Sequence, residues 1–312
     1  LGRMIQSVEK DPDGHIHRVS CKYDFTGNVT ASVEEMAGVT KKTECTYDER
    51  GRLKVEKTYV NGTLLSDLRY SYDIYGNITQ RLENKNGLFN NYTFDIHGRQ
   101  TAHTSHRAGT HIYSDELKYN STYSGAIGTF SGNISAWNWR RHDNSCDTLM
   151  FLYDSSNRLI KAATLDNGVA TNRFSENNIT YDRNGNILTL KRYGSGDLKQ
   201  NISNSYLGNR LSGCIYDSNG NITYDAASGL SMQWTPLNLI KKVSDSNGVL
   251  VNYSYLADGT KVRAVDADGE GLEYRGSLTF RRSSDGTLTP ESIAFSGGRI
   301  VAVTGSGGVV SF

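Results

Sequence analysis

The sequence predicts an all-β chain built from repeated antiparallel hairpins, and three observations carry that expectation. The phrase YDIYGNIT at residues 72–79 returns as YDRNGNI at 181–187. The composition combines 32 Gly and 19 Tyr with only 3 Pro among 312 residues. Apolar and polar residues alternate on either side of each phrase. Glycines supply tight turns, aromatics favour strands, and a period of two is the alternation of a half-buried strand. A catalytic motif is needed once, so a phrase repeated more than a hundred residues later is read as architecture.

The phrase has seven clear copies. Tyr23-Asp24, Tyr47-Asp48, Tyr72-Asp73, Phe94-Asp95, Tyr153-Asp154, Tyr181-Asp182 and Tyr216-Asp217 are followed, four residues after the aromatic, by Gly27, Gly51, Gly76, Gly98, Asn157, Gly185 and Gly220. An Asp opening a type I turn accepts a backbone N–H two residues on, and a Gly or Asn at the left-handed position closes the hairpin with a bulge. Fifteen residues after the aromatic comes a second glycine in six repeats: Gly38, Gly62, Gly87, Gly109, Gly168 and Gly196. Asn61, Asn86 and Asn167 precede three of them, and Asn-Gly between alternating segments is the strongest local hairpin signal. Each repeat therefore reads as two turns and two strands.

The strands between the turns follow. Two residues before each aromatic stand Cys21, Cys45, Tyr70, Tyr92, Phe151, Ile179 and Cys214; six residues after it stand Val29, Leu53, Ile78, Leu159, Ile187 and Ile222, with Gln100 the exception. These positions share a face with the aromatic and define the expected apolar side. Trp234, with Asn238 at its turn and Gly248 at the second, and Tyr255, with Gly259, read as weaker copies; YLGNRL at 206–211 reads as a shortened one. Residues 113–147, containing GNISAWNWRRHD, form the least regular stretch, an insertion or a degenerate repeat within a repeat region spanning 1–312.

Roughly ten such repeats make about twenty strands in a meander. Open twisted sheets rarely exceed ~10 strands without curling or splitting, so a sheet this long is expected to wrap or stack. A β-propeller is the alternative, since two repeats approach the ~40–50 residues of a four-stranded blade.

YDFTGNV, YDERGRL, YDIYGNI, YDSSNRL, YDRNGNI and YDSNGNI resemble the YD repeats of bacterial RHS proteins, which also occur in toxin complexes and teneurins. The resemblance covers nearly the whole chain and implies a spiral β-strip forming a hollow shell around a C-terminal effector, in a secreted or cell-surface protein. It further implies a role in interbacterial competition, and GNISAW with YDSNGNITYD suggests a Bacteroidetes-type member. The DPxG segments and self-cleaving aspartates that close such shells have no counterpart after Gly297; Asp11-Pro12-Asp13-Gly14 has the letters but precedes a repeat and reads as a turn. The chain therefore reads as an internal piece of a longer protein, whose expected partners are the rest of its own polypeptide and, alternatively, glycans or a cell-surface molecule.

Charge and motifs exclude several classes. Lys plus Arg number 34 against 33 Asp plus Glu, with no basic block to track a nucleic acid, and no apolar run approaches the ~20 residues of a membrane-spanning helix. The repeated Asp are explained by turns, so neither calcium nor another cofactor is expected from them. Asp266-Ala-Asp268-Gly269-Glu270 lacks the later ligands of a calcium loop and reads as a hairpin turn. His15 and His17, and His103, His106 and His111, lie close together in sequence, but no accompanying carboxylate or thiolate completes a ligand set, so no metal site is expected. Cys21, Cys45, Cys146 and Cys214 have no metal or redox spacing, and no nucleophile elbow occurs. Of ten Asn-x-Ser/Thr sequons, Asn28, Asn77 and Asn221 come from the Gly-Asn-apolar-Thr phrase of the repeat itself, so glycosylation need not be invoked. The one aromatic–basic cluster outside the repeat columns is Trp137, Trp139, Arg140 and Arg141, which is either packed or a ligand patch. The expected role is a non-catalytic shell segment; the alternative is an extracellular carbohydrate- or cell-surface-binding module.

Overall fold

The computed structural model describes residues 2–120, 126–304 and 310–311. Among them there is no helix; the elements are strands joined by turns. Residues 121–125, inside the irregular stretch 113–147, lie outside the described set. The chain divides into two compact units, one made of residues 1–69, 83–85 and 213–312, the other of 70–82 and 86–212.

In the first unit the strands Gln6–Lys10, Ile16–Tyr23, Val29–Met36, Val39–Tyr47, Leu53–Val60 and Thr63–Tyr72 pair antiparallel, each with the next. Ten further strands, from Cys214–Tyr216 to Gly298–Val301, form a second sheet in strict chain order. Ten consecutive strands in one sheet are a meander and not propeller blades of four. The second unit runs the same way through Leu88–Phe94, Gln100–Arg107, Thr110–Lys118, Ala136–Arg141, Cys146–Tyr153, Leu159–Asp166, Glu176–Tyr181, Ile187–Tyr193 and Leu198–Ser203. Only the two-residue strand Val169–Ala170 interrupts it, pairing back on Leu159–Asp166.

The two turn types of the repeat have different backbone solutions. At the first, the Asp N–H donates to the carbonyl four residues on and the glycine N–H donates back to the Asp carbonyl, as in Asp182 to Asn186 at 3.0 Å and Gly185 to Asp182 at 3.2 Å. The strand register shifts by one beside the aromatic, for instance between Lys22 and Tyr23, which is the bulge that such a turn requires. At the second, two successive residues have positive φ: Asn61 at 47° and Gly62 at 82°, Asn167 at 50° and Gly168 at 80°. That is the type I′ turn matched to the twist of a two-residue hairpin. Ala37 and Ala108 occupy the same position at 45° and 47°, where a β-carbon is disfavoured.

The core does not lie along the aromatic columns. In the first unit it is built from Met36, Val39 and Val60, which flank the second turns, packed on Leu278, Phe280 and Ile293 of the other sheet. In the second unit it is Ala126, Ala136, Met150, Ala163 and Leu165, with Leu152 against them. Of the columns expected to form an apolar face, only Ile179 is buried; Cys21, Cys45, Tyr92, Phe151, Val29, Leu53 and Leu159 are half-buried, and Ile78 and Ile187 are 37% exposed. The physical reason is that these columns border the bulged turns at the sheet edge, and the next repeat covers each side chain on one flank.

Candidate functional site: a ladder of stapled turns

Each first turn is organised by its Asp. One carboxylate oxygen accepts the backbone N–H two residues on in six of the seven, from Arg50, Tyr75, His97, Ser156, Asn184 and Asn219 at 2.8–2.9 Å. In the turn after Tyr23 it takes the Thr26 hydroxyl and the Gly27 N–H at 2.7 Å. In all seven it also accepts the N–H four residues on, as from Arg158 to Asp154 at 2.9 Å. The other oxygen is held by the side chain of that same residue: the amide of Asn28, Asn77, Asn186 or Asn221, or the guanidinium of Arg52, Arg99 or Arg158, at 2.7–3.0 Å. This partner is the residue sequence reasoning missed, although it is visible as a column holding only Asn or Arg five places after the aromatic.

These bonds hold the carboxyls below their ordinary range. Side-chain amides act first on Asp73, Asp182 and Asp217, and backbone N–H groups act first on Asp48 and Asp154. At Asp24 the Thr26 hydroxyl leads. At Asp95 burial is the largest influence and opposes the shift, but the donors from Arg99 and His97 outweigh it together.

The aromatic does a different job: its hydroxyl reaches the preceding repeat. Tyr47 donates to the Val29 carbonyl at 2.8 Å, Tyr181 to Leu159 at 2.6 Å, and Tyr23 to Met4 at 2.7 Å. Tyr153 donates to Ile134 at 2.8 Å and Tyr119, in the irregular stretch, to Gln100 at 2.8 Å. The weaker copies obey the same rule, Tyr206 to Ile187 at 3.1 Å, Trp234 Nε1 to Ile222 at 2.7 Å and Tyr255 to Ile240 at 2.8 Å. The acceptors Val29, Gln100, Leu159, Ile187, Ile222 and Ile240 stand six residues past the previous aromatic, which gives that column a backbone role besides its side chains. Burial pushes the Tyr47 hydroxyl up to about 12, so it stays a donor throughout the physiological range. Arg99 lies over the Tyr119 ring at 4.3 Å and Arg158 over Tyr181 at 4.5 Å, adding cation–π contacts to the staple.

The histidines have carboxylates brought to them by folding, which corrects the expectation from sequence. His15 Nδ1 lies 2.9 Å from Asp11, His17 Nε2 lies 2.9 Å from Glu34, and His103 Nδ1 lies 3.3 Å from Asp115. Asp11, Asp13 and His15 converge within 4.8 Å, the spacing of a metal triad. Three guanidiniums already serve that corner, however. Asp13 takes Arg263 at 2.6 Å and Arg282 at 3.1 Å, which hold its carboxyl below the usual range, Arg282 first. Glu273, fully buried, takes Arg263 at 2.7 Å and Arg275 at 2.6 Å, and Arg275 stands 3.9 Å from Asp11. The cluster is thus a network of carboxylates paired with guanidiniums. The turns at Asp11–Gly14 and Asp266–Glu270 have the same Asp-to-Gly backbone closure as the repeats.

Glu34 shows the other recurrent arrangement. It accepts the Ser277 N–H at 3.1 Å and the Ser277 hydroxyl, while Lys41 Nζ donates to Ser277 Oγ at 2.9 Å and to the Ala294 carbonyl at 2.8 Å. A serine beside a lysine suggests a nucleophile, but the hydroxyl proton is committed to Glu34. Burial, the largest influence, holds the Lys41 amine below its ordinary range, with the Glu34 and Glu56 charges working against it. Glu56 holds Ser296, and Glu83 holds Ser66 with the Asp67 N–H, in the same manner. Three copies of one carboxylate–serine clamp describe packing.

Trp137 and Trp139 share a face, with ring centroids 4.6 Å apart, and Trp137 Nε1 donates to Asp115 at 3.0 Å. Both are half-buried; Arg140 and Arg141 are exposed, and strand alternation puts Arg140 on the opposite face. Tyr92 stacks on His103 at 4.8 Å, and the register Tyr92–His103–Asp115–Trp139 aligns these residues in one row. The four cysteines are free.

A repeated hairpin strip stapled turn to turn is the class of protein that this geometry defines. The comparisons agree on the fold. The chain superimposes on crystal structures of TcdB2-TccC3-Cdc42 and of TcdB2-TccC3 with TM-scores of 0.67 and 0.65, covering 95% of its own length at 16% and 15% identity. It spans 16% of the length of those chains. The chain thus shares the all-β repeat fold of the matched part of those chains. Neither a protein-family profile nor a curated protein sequence matches it. No described helix is long and apolar enough to cross a membrane.

Proposed function

We propose that the chain is a wall segment of a secreted, toxin-complex-like shell, and that it works without catalysis by enclosing or presenting another part of its own polypeptide. The observation that carries this reading is the fold match over 95% of the chain, combined with turns closed by their own carboxylates and with tyrosine hydroxyls that bond to the preceding repeat. A wall of that kind is stiff, because neighbouring hairpins are joined by ladder bonds and by aromatic donors such as Tyr47 and Tyr181, and each turn is closed by its own carboxylate. Protease challenge of the longest polypeptide carrying this segment tests it: a portion outside the segment should survive under native conditions and be cut after mild heating. Equal digestion under both conditions contradicts enclosure.

A second reading, glycan binding, is favoured by the row of half-exposed rings at Tyr92, His103, Trp137 and Trp139. It expects a folded Trp137→Ala/Trp139→Ala variant to lose retention on a glycan array that the unaltered chain shows; no retention by the unaltered chain eliminates it.

A further inference from the structure

The two residues at the tip of each first turn are the most exposed in the repeat, and they divide into two populations. Glu49-Arg50, Ser155-Ser156, Arg183-Asn184 and Ser218-Asn219 are polar, as surface turns ordinarily are. Apart from Phe25 in the first unit, the exceptions are three consecutive turns of the second unit. Tyr75 is 84% exposed and its neighbour Ile74 74%; Ile96, at the next turn, is 95% exposed. Before the next strand, Ala136–Arg141, Ile127 is 66% and Phe130 87% exposed. The turns are neighbours on one edge of the unit. Arg99, which closes the second, lies over the ring of Tyr119 and donates to Asn120 at 3.4 Å at the base of the third.

We propose that this crest is a membrane-contact edge that inserts shallowly into the apolar boundary of an uncharged lipid surface. Four features select lipid over a protein partner. The side chains are separate projections, since consecutive hairpins are two strands apart and so stand ~10 Å from one another; a fluid apolar medium accepts separated projections, whereas a protein partner must supply a shaped pocket for each. No Lys, Arg, Asp or Glu occurs at 74, 75, 96, 97 or 126–133, and the charges flanking these tips are spent within the turns, Asp95 on Arg99 and Asp73 on Asn77, so no basic side chain at a tip is left to seek an anionic headgroup. The backbone at the tips is already satisfied: Tyr75 and His97 donate their N–H groups to Asp73 and Asp95 at 2.9 Å, and Thr129 donates to the Tyr119 carbonyl at 2.7 Å. Burying these tips therefore leaves those three N–H groups paired. Finally, Tyr and Phe beside Ile match the depth profile of a membrane interface, with a polar hydroxyl at headgroup level and apolar bodies below. The chain would lie against such a surface, not span it.

The test is co-sedimentation of the purified chain with vesicles of phosphatidylcholine alone. The unaltered chain should partition onto them, with no loss between low and high salt, and the Tyr75→Ser/Ile96→Ser/Phe130→Ser variant should partition at least tenfold more weakly. Because the three side chains are almost wholly in solvent, circular dichroism and melting should not change. Phe25→Ser, at an isolated tip of the first unit that is 97% exposed, should leave partitioning unaltered. Failure of the unaltered chain to bind these vesicles, undiminished binding by the triple variant, or binding that salt abolishes would overturn the proposal. So would a concentration-dependent dimer that the triple variant abolishes in the absence of vesicle binding.

Discussion

Tyr181 and Phe94 occupy the same column, but only Tyr181 has a hydroxyl to donate. Tyr181→Phe removes the 2.6 Å bond to Leu159 and should destabilise the second unit by about 1 kcal/mol, read from the chemical-denaturation midpoint. Phe94→Tyr should do the reverse, by supplying a donor where its repeat lacks one; a lower midpoint for that variant would show that the staple follows the ring and not the hydroxyl. The turn carboxylates predict a pH dependence with a definite sign. Their folded values lie below their ordinary ones, so they stabilise the fold above about pH 4 and lose that contribution as pH falls through the depressed folded values. The melting temperature should be nearly level from about pH 7 to about pH 5 and fall steeply below about pH 4. Equal melting at about pH 2 and about pH 6 would mean that the carboxylates contribute nothing. At this scale much was legible: Asp, Gly and Asn announce turns through local chemistry that depends only on near neighbours. The Asn/Arg column was equally local and went unread because Gly-Asn is already a turn signal without it.

Between strands, the second turns invite substitution. Ala37 and Ala108 sit at positive φ where Asn61 and Asn167 sit in other repeats. Ala37→Asn and Ala108→Asn should each add about 0.5–1 kcal/mol of stability, measured by denaturation, since Asn tolerates the left-handed region better. The ion network should respond in the opposite sense. Glu273→Ala leaves Arg263 and Arg275 facing each other without their common anion and should cost about 3–5 kcal/mol. A loss below about 1 kcal/mol would mean that water replaces the carboxylate there. None of this network was legible from the sequence, because Asp13 and Arg263 are 250 residues apart and a period-two pattern does not say which strand faces which. His17 and His103 misled for the same reason. Carboxylate partners such as Glu34, 17 residues from His17, arrive by strand pairing and not by sequence proximity.

For the molecule as a whole, the fold class followed from the repeat, because many copies agreeing at several columns over-determine a hairpin meander. The division into two units and the position of each core did not. Leu278 and Phe280, each 1% exposed, pack across sheets on Met36 and Val60, and nothing in their own strand marks that destination. Phe280→Ala should therefore cost about 3–5 kcal/mol, and calorimetry should show the loss confined to the melting of the first unit. A single transition shifted as one would mean that the two units unfold together.

The hydroxyl staple has a direction. Every donor belongs to a later repeat and every acceptor to an earlier one, so each hairpin is completed by what is synthesised after it. A nascent chain emerging from the ribosome would lock its turns one by one from the N-terminal side, each waiting roughly one repeat for its donor. The same one-way rule makes a whole repeat a unit of inheritance: duplicating or deleting one in frame leaves each remaining tyrosine facing an equivalent carbonyl, so the strip can change length over evolutionary time without inventing a new contact.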